Sequence, residues 1–129
     1  MEDFVTFEIA KKLKEKGFDI PCMDVVNKFG CRYKNGWCEY LDDRDDEFIT
    51  LKDLNENDYL LPTISQVLKW LRDEKGIHIT ICVCGDGWFY EVIHISSGKS
   101  LIEDYEDDML QSYEDATIAG IEYVINNLI

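Results

Sequence analysis

Positive charge is scarce in this sequence. Against 27 Asp and Glu there are only 13 Lys and Arg, a formal net charge of -14. Duplex readers draw much of their affinity from neutralising phosphates, so this balance disfavours nucleic acid and anionic membrane surfaces as partners. Lys11, Lys12, Lys14 and Lys16 do cluster, but one solvated helix face accounts for them. Apolar runs are short, and none approaches the ~20 residues that span a bilayer. Met1–Lys16 is charged and amphipathic without an apolar core, which is not the pattern of an export signal. Cys22, Cys31, Cys38, Cys82 and Cys84 form an odd set without disulfide-framework spacing, so reduced thiols in a cytoplasm are expected. The sequence contains no G-x-G-x-x-G, no Walker loop, no G-x-S-x-G and no H-E-x-x-H. No cofactor is therefore expected, and the reading leans away from an enzyme. Repeats and low-complexity linkers are also missing, which leaves 1-129 as a single domain with one core.

Three helices show in their end signals. Thr6 is placed as an N-cap, and Gly17 as the left-handed residue after the helix, with Phe18 positioned to close on Leu13. The second helix is expected over Ile64–Lys75. Thr63 and Gln66 form a capping box, Ile64, Val67, Leu68 and Leu71 make the apolar stripe, Trp70 borders it, and Gly76 stops the helix. The third helix begins after Ser112, with Thr117, Ile121, Val124, Ile125 and Leu128 facing inward. Gly120 within it costs about 1 kcal/mol of helix propensity, which predicts a compensating close approach of a neighbour.

Two hairpins are expected between the helices. Asn35-Gly36 is the strongest short turn signal, pairing Tyr33 with Cys38 and Cys31 with Tyr40. Ile77–Ile95 forms the second, with Ile77, Ile79, Ile81 and Val83 alternating onto one face. A three-residue loop at Gly85-Asp86-Gly87 is preferred there. It sets His78 opposite His94 and gathers Phe89, Ile93 and Ile95 with the isoleucines, whereas an Asp86-Gly87 loop sets His94 opposite Ile79. Glu47–Leu51 is a candidate further strand, and Asn55–Asp58 a turn. The order α-β-β-(β)-α-β-β-α points to an α+β fold, an antiparallel sheet covered by three helices.

Candidate sites are few. Cys31 and Cys38 sit diagonally at roughly 7–8 Å, too far for an unstrained bridge, and neither they nor Cys82-x-Cys84 form a zinc knuckle. Buried free cysteines acting as small apolar groups account for them. His78 and His94 with Trp88 and Tyr90 are the candidate small-ligand residues; two histidines are only half of a metal site, so no metal set is assigned. The acidic runs Asp42, Asp43, Asp45, Asp46 and Glu103, Asp104, Glu106, Asp107, Asp108 lack the glycine that an EF-hand loop requires. They are the candidate protein-interaction surface, suited to a basic protein, although solubility alone also explains them. A helix followed by a hairpin at Ile64–Ile95 admits a winged-helix DNA reader, but the wing strands lack Lys and Arg.

The blocks FVTFEIAKKLKEKGF (Phe4–Phe18), LPTISQVLKWLRDEKGIHI (Leu61–Ile79) and SYEDATIAGIEYVINNLI (Ser112–Ile129) resemble uncharacterised small proteins of bacteriophages and mobile elements of gut bacteria. Pro62-Thr63, Trp70-Leu71-Arg72 and Gly76-Ile77-His78 carry the resemblance most specifically. That family has no established activity, so the resemblance implies no functional residues; it implies a bacterial cytoplasm and marks Asp42–Asp58 as an enlargement. The expectation is an accessory protein, not an enzyme, that binds a basic protein. A ligand or metal domain at the second hairpin is the alternative, and DNA binding comes third. A homodimer through a sheet edge or helix face also fits such a domain, with the edge left open.

Overall fold

A computed structural model of the chain describes residues 3–22, 24–34, 54, 56–85, 87–101 and 110–129. The described residues form an α+β fold of three helices and two antiparallel sheets, each with three strands. Two compact units divide the chain, Met1–Gln66 and Val67–Ile129.

The first unit starts with helix α1 (Phe7–Glu15). Thr6 caps it, its hydroxyl accepting from the Ile9 amide at 3.2 Å. At the other end Gly17 takes φ +83, and the Phe18 and Gly17 amides donate to the Leu13 and Lys14 carbonyls at 3.0 and 3.2 Å. This is the Schellman closure that the sequence announces, with Leu13 and Phe18 both buried. Strands β1 (Asp24–Val26), β2 (Arg32–Lys34) and β3 (Tyr59–Leu61) form a sheet in the order β2-β1-β3. Val25 pairs with Tyr33 on one side and Leu60 on the other. Asn27 makes the β1–β2 turn, its side-chain oxygen accepting from the Phe29 and Cys31 amides at 2.9 and 3.0 Å. The Asn35-Gly36 hairpin, its partners Cys38 and Tyr40, and the candidate strand Glu47–Leu51 lie outside the described residues. Helix α2 (Ile64–Lys75) opens with the expected box: the Thr63 amide donates to Gln66 Oε1 at 2.8 Å, and the Gln66 amide to Thr63 Oγ1 at 3.2 Å.

The second unit holds the rest of α2, strands β4 (Ile77–Cys84), β5 (Gly87–His94) and β6 (Lys99–Ser100), and helix α3 (Tyr113–Asn127). Its sheet runs β4-β5-β6, so the described strands make two sheets where the sequence suggests one. The register of the second hairpin also departs from expectation. Cys84 pairs with Gly87, His78 with Ile93 and Ile77 with His94, so the loop is Gly85-Asp86 alone. Gly85 supplies the left-handed turn residue at φ +58, which a tight two-residue loop needs at its first position. Gly87 is thereby released into the strand. Opposed residues share a face, so Trp88, Tyr90, Val92 and His94 join Ile77, Ile79, Ile81 and Val83, while Phe89 and Ile93 go to the other side. Ile95 lies beyond the strand and is exposed.

Helix α3 covers the isoleucine face. Ser112 caps it by accepting from the Asp115 amide at 3.0 Å, and Ala116, Thr117, Gly120, Ile121, Val124 and Ile125 are buried. Gly120 is where the helix meets the sheet: a Cβ there would lie 2.8 Å from Ile79 Cγ2 and 3.3 Å from Tyr90 Cβ. Gly120→Ala should gain about 1 kcal/mol of helix propensity but lose more, about 1–3 kcal/mol, to overpacking against a stiff β-branched side chain. Urea unfolding is expected to show a net loss of stability for Gly120→Ala and a larger one for Gly120→Val.

Candidate functional site

The register decides what the second hairpin can do. His78 and His94, expected as a cross-strand pair, stand on opposite faces of the sheet, because the strand pleat alternates and their partners are Ile93 and Ile77. His94 keeps company with Trp88 and Tyr90 on the α3 face. Its Nδ1 lies 3.0 Å from Ser97 Oγ and 3.2 Å from Ser96 Oγ, so the ring braces the turn into β6. Trp88 meets Tyr113 edge-to-face at 5.8 Å, and Tyr90 lies 6.2 Å from Tyr123. Both pairings are helix–sheet packing of the kind aromatic side chains stabilise by about 0.5–1.5 kcal/mol beyond their burial. Burial raises the Tyr90 phenol above its ordinary pKa, with Tyr123 and Glu122 adding to the effect. The proposed ligand quartet is thus split three to one, and its aromatic members hold α3 in place.

The opposite face carries His78, Thr80, Cys82, Phe89, Glu91 and Ile93, all half-buried. Among the described residues no group of three or more His, Cys, Asp or Glu is placed to hold a metal ion. Asp42, Asp43, Asp45, Asp46, Glu103, Asp104, Glu106, Asp107 and Asp108 lie outside the described residues.

Sequence reading missed the polar centre of the first unit. Asp24 on β1 is 2% exposed, and its Oδ2 accepts from Arg32 on β2, 2.6 Å from one terminal nitrogen and 3.1 Å from Nε. The guanidinium stacks 4.0 Å from the centre of the Phe4 ring, a geometry that suits arginine's planar, weakly hydrated cation. Oδ1 of Asp24 finds no partner among the described residues. Cys22, fully buried beside it, donates to the Ile20 carbonyl at 3.2 Å. Burial, and then the Asp24 charge, push the Cys22 thiol up to about 12. A thiol so placed stays protonated and is not a nucleophile. The only signal that could have found this cluster is the opposite charge of Asp24 and Arg32 on either side of the Asn27 turn.

The lysines of α1 are largely engaged. Lys14 donates to the Glu56 and Asp58 carbonyls at 2.9 and 3.0 Å and lies over the Tyr59 ring, while Lys11 pairs with Glu8 at 3.3 Å and lies over Phe7. The shallow, open depression there is lined by acids and lysines in balance, Glu8, Glu15 and Glu56 against Lys11, Lys12 and Lys14. On α2, Lys69 pairs with Asp73 at 3.0 Å and Lys75 lies over Trp70.

Comparison with known proteins returns no relative: no family model matches the chain, and no curated protein or solved structure is similar to it.

Three outcomes are expected. Alkylation of the native protein at about pH 8, read by peptide mass spectrometry, should label exposed Cys31 and spare Cys22. Because the folded thiol of Cys22 holds its proton beyond the ordinary value of 9.0, stability should fall as pH rises from there toward about 12. A Cys22→Ala variant should show less of that fall. Arg32→Ala strands the buried Asp24 charge; since the Arg32 side chain is itself half exposed, the expected cost in urea unfolding is about 2–3 kcal/mol, below the 3–5 kcal/mol of a fully buried pair.

Proposed function

We propose that this chain is an accessory protein, not an enzyme, that binds a basic protein partner through its acidic surface, in the reducing cytoplasm that its thiols and its phage-like sequence blocks suggest. The observation that carries the reading is the net charge of -14. An excess of that size creates a field of one sign that speeds encounter with an oppositely charged protein and repels nucleic acid. The packing of the second hairpin adds support, since Trp88 and Tyr90 lie against α3 and the two histidines diverge. DNA reading loses support for a parallel reason: Lys69 and Lys75 of α2 are engaged within their own helix, and the described wing strands β4 and β5 hold no Lys or Arg.

A tagged protein incubated with nuclease-treated bacterial lysate should retain a basic protein at about 50 mM salt and release it by about 0.5 M, where the screening length falls below 5 Å. A variant with Asp42, Asp43, Asp45 and Asp46 changed to Asn should recover several-fold less of it. Recovery that ignores both salt and these substitutions would refute the acidic surface as the binding element.

A further inference from the structure

The two edges of the second sheet are built differently. At one edge β6 is two residues long, exposed and bears Lys99, the short charged ending that keeps strands from adding to a sheet. At the other, β4 runs for 8 residues, IHITICVC, with no charge, no proline and no bulge in its pairing with β5. Among the described residues no strand pairs with its outer side.

The register tells which backbone groups point there. The Ile95 amide donates to the Gly76 carbonyl at 2.9 Å, which makes Gly76 and Ile95 a hydrogen-bonded pair. Alternation then directs the amides and carbonyls of His78, Thr80 and Cys82 toward β5, and those of Ile77, Ile79, Ile81 and Val83 outward. On β5 the same alternation directs the amides and carbonyls of Trp88 and Val92 away from β4. They do bond there, to Leu110 and Leu101, which supports the assignment.

The outward set is symmetric about Thr80. We propose that β4 pairs antiparallel with β4 of a second copy, the twofold axis passing at Thr80. Ile77 then opposes Val83 of the partner subunit, Ile79 opposes the partner's Ile81, and each pair exchanges both backbone bonds. Every opposed pair on the α3 face is apolar, and no like charges meet across the seam, which matters when each chain carries -14. Val83, 64% exposed in the single chain, gains the partner's Ile77 as its neighbour. Antiparallel pairing keeps equivalent faces on one side, so both α3 helices lie on the same face of one continuous sheet. A second copy is favoured over a foreign strand by this self-complementarity, in which one register satisfies every outward group of both edges. The inference is independent of the acidic surface.

Light scattering on the reduced 129-residue chain at tens of micromolar should give about twice the 15.1 kDa of one chain. Added salt should strengthen the association, because it screens the repulsion of two acidic bodies; binding through the acidic surface has the opposite dependence. Val83→Lys places a charge at an exposed edge position and should raise the dimer dissociation constant by at least about tenfold with an unchanged circular dichroism spectrum. Thr80→Cys should form a disulfide between copies under oxidised glutathione, mapped as residue 80 joined to itself, because opposed positions of this kind lie about 4.5 Å apart between Cα atoms. A chain that stays monomeric at low and high salt overturns the proposal. So does a dimer that survives Val83→Lys and yields no 80–80 bond.

Discussion

Gly85 stands at φ +58 and turns the chain between β4 and β5 within two residues. Side-chain direction in a strand alternates with every step, so a turn one residue longer would shift the pairing of the two strands. Because the turn is this tight, the tryptophan, tyrosine and valine of β5 stand beside the isoleucines of β4 and make one apolar surface for α3. The same step parts the two histidines and determines which amides of β4 face the sheet and which face away. The close seat of Gly120 against Ile79 and Tyr90 requires those two residues to share a face, which this register provides.

Charge is handled differently in the first unit. A chain with twice as many acids as bases has few cations to spend, and several of the described ones serve structure. Arg32 neutralises a carboxylate that burial would otherwise make costly, and it does so while stacked on Phe4. Lys14 satisfies two carbonyls of the turn before β3. Arg32 and Lys14 thus act locally, as ties between elements, in a chain whose excess charge is acidic.

Helix boundaries were legible in the sequence because capping is local chemistry. Thr6, Gly17, the Thr63–Gln66 pair and Ser112 each act on amides or carbonyls within a turn of themselves, so neighbours in sequence suffice to read them. The close approach at Gly120 was legible for a related reason, since a glycine inside a helix needs a compensating contact. Hairpin register was not legible. Gly85 and Gly87 both permit a turn, and the choice between them rests on packing along the whole strand. Strands β1 and β3 have three residues and β6 two, too few for a period of two to stand out. Asn27 with Gly30 three residues on was the available sign of the β1–β2 turn. Of the candidate ligand residues, alternation along β5 groups Trp88, Tyr90 and His94 on one face, but nothing local says that Tyr113 and Tyr123 of α3 will pack against Trp88 and Tyr90.

In the first sheet the central strand is β1, and both β2 and β3 pair with it, not with each other. The chain leaves β2 at Lys34 and re-enters at Tyr59. Neither ladder constrains the path between those points, and the entropy of closing a loop grows only with the logarithm of its length, about 0.6 kcal/mol per doubling. The connection is thus the part of the unit where length is thermodynamically cheap. A change of length or charge in that connection is therefore expected to leave the β2-β1-β3 register to its own pairings, Val25 with Tyr33 and Leu60.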